Sequence, residues 1–285
     1  MSITLDGAAK QTPFGREQRA LDGKRVINYW KDGHVGFVEM DDPPANTYTH
    51  EMMRQLDEAI LDARFDPDVE VIVLTGKGEK FFSAGANIGM LNQVTPEFKY
   101  MFCLHANETL SRLEQTPKLV IAALNGHCVG GGLEIAMAAD LRIARKDAGK
   151  IGLPEVALGV LPGTGGTQRL ARLVGKSRSI EMMVTGKTVS FEQALEWGML
   201  TDLFEGTAAE FREQITNYAK QFCSPNKAPM AVGHIKRSVQ TGAELPLQDA
   251  LALERELQSL LFKSEDAKEG LAAYNEKRVA RFKNK

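Results

Sequence analysis

The sequence predicts a layered α/β core followed by an all-helical tail, and three observations carry that prediction. Short apolar stretches of strand length alternate with segments of helical spacing from residue 26 to about 205. The stretches Val69 to Leu74, Leu119 to Leu124 and Leu141 to Ala144 are dominated by Val, Ile, Leu and Ala, as expected of strands covered on both faces. Beyond residue 206 the strand signals give way to helical patterns, so residues 24–205 read as the core and 206–285 as a helical region.

The elements follow in order. Residues 1–23 are polar and without a period, which marks an N-terminal extension. Val26 to Trp30 and Val35 to Met40 flank Asp32-Gly33 and read as a hairpin. Met52, Met53, Leu56, Ile60 and Ala63 have helical spacing over residues 49–66, and a strand from Val69 to Leu74 comes next. A helix from Pro96 to Gln115 precedes the buried strand Leu119 to Leu124. Four helices are expected in the tail: Ala208 to Cys223, Ala228 to Gly242, Leu247 to Phe262 and Ala267 to Phe282.

Composition narrows the function. With 285 residues, 43% of them hydrophobic, the chain can bury a substantial core. Lys plus Arg total 35 against 37 Asp plus Glu, a net charge of -2, which gives no general electrostatic reason for a nucleic-acid or membrane partner. Cys103, Cys128 and Cys223 are widely separated and form no CxxC pair, so neither a disulfide framework nor a metal site is expected. No window reaches the roughly 18 apolar residues of a membrane span, and the first residues lack the apolar run of a secretory leader, so a cytoplasmic location is expected.

Three segments concentrate chemistry. Asn125 to Glu134 carries Gly130-Gly131-Gly132 where a strand passes into an apolar helix, which exposes backbone N–H groups at a helix start. It is neither a Walker loop nor a GxGxxG fingerprint, and alone it could equally serve tight packing. Phe81 to Ile88 supplies small residues that would let a ligand approach the backbone, or simply a flexible loop. Gly152 to Leu170 sets one carboxylate, Glu155, in an apolar segment that turns through Pro162 to Gly166. A lone carboxylate is usually a solvated charge; two of them, each beside Gly-rich backbone, mark a candidate functional site.

The segments GGGLEIAMAAD, FSAGANI and PEVALGVLPGTGGTQRL, in this order and spacing, resemble the signatures of the enoyl-CoA hydratase/isomerase, or crotonase, family, and the resemblance extends from about residue 26 to the C-terminus. It implies a crotonase-like spiral of ββα repeats, with a helical C-terminal region that joins chains into trimers or hexamers. It also implies an acyl-CoA thioester substrate and no metal or redox cofactor, since coenzyme A arrives with the substrate. Ala86 and Gly131 match the backbone donors of the family's oxyanion hole, and Glu134 and Glu155 match its two hydratase acids, assigned here to water activation and to protonation at C2. Ala84, Ala86 to Gly89, including Asn87 and Ile88, together with Gly130, Gly131 and Pro154, match the substrate-binding backbone. Phe282 and Lys283 resemble a pair that reaches coenzyme A from a neighbouring subunit.

Three departures are visible. Asn87 stands where the family very often has Asp, the link from Arg145 to Ile151 is about one residue long for a plain hydratase, and Tyr48 is unusual for one. Tyr48 either shapes the acyl pocket or packs at a helix start capped by Thr47 or Thr49. The presence of both acids weighs toward hydration over an isomerase, a cyclic dienoyl-CoA hydratase or a thioester hydrolase. A non-catalytic acyl-CoA- or RNA-binding relative would have lost an acid or gained a basic face.

Overall fold

A computed structural model describes residues 24–285, so the expected extension over residues 1–23 lies outside the described residues. Among the described residues, ten strands form two sheets: β1 (Ile27–Asp32), β2 (Val35–Met40), β3 (Val71–Gly76), β5 (Leu119–Leu124), β7 (Leu141–Arg145) and β10 (Asp202–Phe204) make the larger, in that order. Strands β4 (Phe81–Ser83), β6 (His127–Val129), β8 (Lys150–Gly152) and β9 (Thr188–Ser190) make the smaller. Apart from the hairpin β1–β2, neighbours in the larger sheet are parallel, with Val38 opposite Leu74 and Leu74 opposite Ala122.

The chain reaches this order by repeating one move. A long strand in the first sheet is followed by a short strand in the second and then by helical structure. Thus β3 and β4 lead to α2 (Ile88–Leu91) and α3 (Pro96–Glu114), β5 and β6 lead to α4 (Gly131–Met137), and β7 and β8 lead to the 3₁₀ turn Glu155–Leu158. This is the spiral of ββα turns that the resemblance implies. The short second-sheet strands have no periodicity of their own in the sequence, because three residues are too few to show one.

Alternation along the long strands explains their apolar composition. Val38, Ile72, Leu74, Val120 and Ala122 face the core formed with α1 (His50–Phe65) and α3, while Val35, Phe37, Val71, Val73, Ile121 and Ala123 face α8 (Ala208–Lys220). Helix α1 starts at Thr49, whose side chain accepts from the Met52 N–H, and it buries Met52, Met53, Leu56, Ile60 and Ala63. Helices α5 (Gly166–Val174), α6 (Lys176–Thr185) and α7 (Phe191–Glu196) close the layer around the smaller sheet.

The tail comprises α8, α9 (Pro229–Gly242), α10 (Leu247–Phe262) and α11 (Glu265–Glu276). The last helix is shorter than its expected span to Phe282, because Lys277 turns left-handed (φ 55°) and the chain doubles back. The Asp266 carboxylate then accepts the N–H groups of Lys283 and Asn284, and Glu269 pairs with Arg278. These acids on α11 therefore hold an irregular end rather than another turn of helix.

One buried ion pair ties the tail to the layer that carries the site. Lys236 of α9 lies 2.9 Å from Asp140, with side chains 3% and 10% exposed, and Asp140 also accepts from the Val120 N–H at the start of β5. Removing one partner leaves the other charge buried, so Lys236→Ala is expected to cost about 3–5 kcal/mol. A shift of less than about 1 kcal/mol in urea unfolding would show that water replaces the ammonium there.

Candidate active site

Helix α4 is buried over its whole length and carries Glu134 in its first turn, 2% exposed. Glu134 Oε1 accepts two backbone N–H groups where the chain turns into α5, from Thr164 at 2.7 Å and from Gly166, the first residue of that helix, at 2.8 Å. Burial raises its pKa above the usual carboxylate range, while those two donors, the Thr164 side chain and Arg169 oppose the rise. Arg169 is held in turn by Glu114 of α3, with N–O distances of 2.7 and 2.6 Å.

Glu155 opens the 3₁₀ turn and comes to α4 from the other side. Gly130, the residue before α4, has φ 56°, and a Cβ there would lie 3.1 Å from Glu155 Oε1, so a side chain would be both strained and crowded. Glu155 Oε2 is buried and has no hydrogen-bond partner among the described residues. Burial, reinforced by the Glu134 charge, pushes the Glu155 pKa up to about 7, against a smaller lowering by a backbone N–H. The two N–H donors on Glu134 Oε1 favour the charged form of that carboxylate, whereas Glu155 Oε2 is buried without a donor among the described residues. These surroundings favour the proton on Glu155 over Glu134.

The backbone of Phe81 to Gly89 forms the opposite wall, and β4 takes the place of the flexible loop that small residues alone would allow. Asn46, 2% exposed, donates to the carbonyls of Lys77, Phe81 and Phe82, and its own carbonyl accepts from Ser83 Oγ. The Tyr48 N–H donates to the Gly85 carbonyl at 2.9 Å and the Asn87 N–H to the Tyr48 carbonyl at 3.0 Å, a parallel bridge centred on Ala86. The Ala86 N–H consequently points away from Tyr48. Gly131 is the first residue of α4, and its N–H has no acceptor within the helix. A Cβ on Gly85 would sit 2.8 Å from the Gly131 nitrogen, which shows how closely the two loops meet.

The structure thus brings together Glu134, Glu155, Gly130, Gly131, Pro154 and the loop containing Ala84, Ala86, Asn87, Ile88 and Gly89. Asn87 caps α2: its Oδ1 accepts the Met90 N–H at 2.9 Å, and its Nδ2 donates to Thr47 Oγ1 at 3.3 Å, which an Asp carboxylate could not do. Ile88 is half-exposed at the mouth. Phe282 and Lys283 lie elsewhere, on the tail, where the Phe282 N–H donates to Pro225 and its ring lies over Gly270. The sequence reading missed Thr164 and Gly166 as partners of Glu134; Pro162 to Gly166 was legible as a turn, but not what its N–H groups would meet.

The family model for enoyl-CoA hydratase/isomerase matches residues 31–285. The chain belongs to the enoyl-CoA hydratase/isomerase family. A short-chain-enoyl-CoA hydratase of Clostridium acetobutylicum is 36% identical to it over 90% of this chain and 97% of the relative. An (E)-benzylidenesuccinyl-CoA hydratase of Thauera aromatica is also 36% identical, over 88% of this chain and 96% of the relative. Among solved structures of this enoyl-CoA hydratase/isomerase fold, one from Geobacillus kaustophilus superposes with a TM-score of 0.88 at 46% identity, over 92% of this chain and 98% of that one.

Proposed function

We propose that this protein is an enoyl-CoA hydratase, a hydro-lyase that reversibly adds water across the 2,3 double bond of an enoyl-CoA to give a 3-hydroxyacyl-CoA. The observation that carries the reading is the pairing of two carboxylates with opposite surroundings, Glu134 held by N–H donors and Glu155 half-buried, with a buried oxygen that has no partner among the described residues. The names of relatives that hydrate enoyl-CoA esters support it.

In this scheme the thioester carbonyl accepts from the N–H groups of Ala86 and Gly131, which stabilise negative charge as the enolate forms. Glu134 removes a proton from the attacking water as its oxygen bonds to C3, and Glu155 delivers a proton to C2. Pro154 and the backbone from Ala84 to Gly89 line the thioester and pantetheine. The scheme needs no metal or redox cofactor. Phe282 and Lys283 are assigned to coenzyme A bound by a neighbouring subunit, within a trimer or a hexamer of two trimers. Exposed Leu247, Leu260, Phe262, Leu271, Tyr274 and Val279 on the tail support such assembly. No described helix is long and apolar enough to cross a membrane. The three free cysteines suit a reducing compartment, and we assign the cytoplasm.

Purified protein mixed with crotonyl-CoA, and with longer and cyclic enoyl-CoAs, should consume the conjugated thioester absorbance and yield products one water heavier. Acyl-CoA binding with no hydration across the panel would refute the reading. The acids also set a pH dependence. Hydration needs Glu155 protonated, so kcat/KM in that direction should fall as pH rises through about 7, and Glu155→Gln should abolish that alkaline limb. An alkaline limb retained in Glu155→Gln would assign it to another group.

A further inference from the structure

Tyr48 is not absorbed by the scheme above, yet it sits inside the site. It is 2% exposed, and its ring packs on Phe102 with centroids 5.7 Å apart. A Cβ on Gly131 would fall 2.2 Å from Tyr48 Cε1, so the ring edge lies directly against the backbone that starts α4. Its own backbone makes both hydrogen bonds of the bridge around Ala86. With ring and backbone both fixed, the phenol oxygen has one place to be, 3.1 Å from Thr164 Oγ1. Thr164 is the residue whose N–H already holds Glu134 Oε1.

Either hydroxyl can donate in this pair. What the contact fixes is the Thr164 side chain, and with it the Thr164 N–H that Glu134 Oε1 accepts at 2.7 Å. We propose that Tyr48 is a positioning residue for the hydration chemistry: its phenol anchors Thr164 and so holds the Thr164 N–H on Glu134, and one ring couples the loop around Ala86 and Gly131 to the carboxylate that handles water. The proposal rests on the hydratase reading for its kinetic consequences, but not for the hydrogen-bond chain itself.

Tyr48→Phe removes only the oxygen. Hydration of crotonyl-CoA should lose about tenfold in kcat. KM should stay within about twofold, since the ring and the backbone donors remain. Glu134, deprived of an ordered donor, should hold its proton to higher pH, moving the acid limb of kcat/KM upward. The other groups facing this cluster are Glu155 on the 3₁₀ turn, Arg169 on α5 with its partner Glu114 on α3, and the Cys103 thiol on α3; none is altered by the substitution.

A second readout needs no turnover. The infrared carboxyl band that is missing in Glu134→Gln should persist to higher pH in Tyr48→Phe than in the unsubstituted protein. Thr164→Val should reproduce both effects, Thr164→Ser should not, and the double variant Tyr48→Phe/Thr164→Val should be no worse than Thr164→Val alone. If Tyr48→Phe fails to fold, the Thr164→Val and Thr164→Ser pair decides the matter. An unshifted band and acid limb would overturn the proposal, as would additive losses in the double variant. A shifted band in a protein that hydrates no enoyl-CoA would instead refute the hydratase reading and leave the hydrogen-bond chain standing.

Discussion

Glu134→Gln and Glu155→Gln should each lower hydration of crotonyl-CoA by about 10²- to 10⁴-fold, the usual contribution of a general acid or base. Gln is the informative replacement at both places. At position 134 its amide oxygen can still accept the Thr164 and Gly166 N–H groups, so the turn before α5 keeps its place and only basicity is lost. At position 155 the oxygen Oε2 has no partner among the described residues to lose, so the amide removes the acid with little structural cost. Both variants should therefore bind acyl-CoA close to normally by calorimetry while turnover collapses. Near-normal turnover in either would refute the role of that residue. Because the two acids act on one addition of water, the double variant should lose little beyond the worse single one.

The parts of this molecule that were legible in the sequence are those with enough residues to show a period or a motif. Helix α1 was readable from five apolar positions and a capping Thr, and β5 from six consecutive apolar residues. Strands β4, β6, β8 and β9 were not, because a strand of three residues is defined by the neighbour it pairs with and not by its own pattern. The expected helix to Phe282 failed for a related reason: its apolar spacing continued, but Asp266 and Glu269 capture the following backbone and side chains, a tertiary event.

The site divides in the same way. Glu134 and Glu155 stood out as carboxylates among glycines and apolar residues, and the motifs resembling the crotonase family named their partners. What makes the two acids different from each other could not be read, since it lies in which N–H groups point at which oxygen. Tyr48 shows the limit most clearly. From the sequence it read as a packing residue before a pocket wall; the fold seats its ring against Gly131 and its hydroxyl on Thr164.

That seating makes Gly131→Ala the second severe substitution. Gly131 does not need glycine for its backbone angles, since it begins a helix, so an Ala there is penalised for contact alone. The added Cβ would meet Tyr48 Cε1 at 2.2 Å, Oη at 2.5 Å and Cζ at 2.7 Å, and the ring is pinned between Phe102 and the Ala86 bridge. The start of α4 must then move, taking the Gly131 N–H off the thioester oxygen. Losing one such donor costs about 2.7–4 kcal/mol elsewhere, so kcat should fall about 10²- to 10³-fold while the fold survives. Tyr48→Ala removes the obstructing ring, and in the double variant Gly131→Ala should cost far less than it does alone. Such relief, measured on crotonyl-CoA turnover with circular dichroism as the folding control, would show that the ring fixes the position of this N–H. Equal losses in both backgrounds would mean instead that the methyl group itself obstructs the substrate.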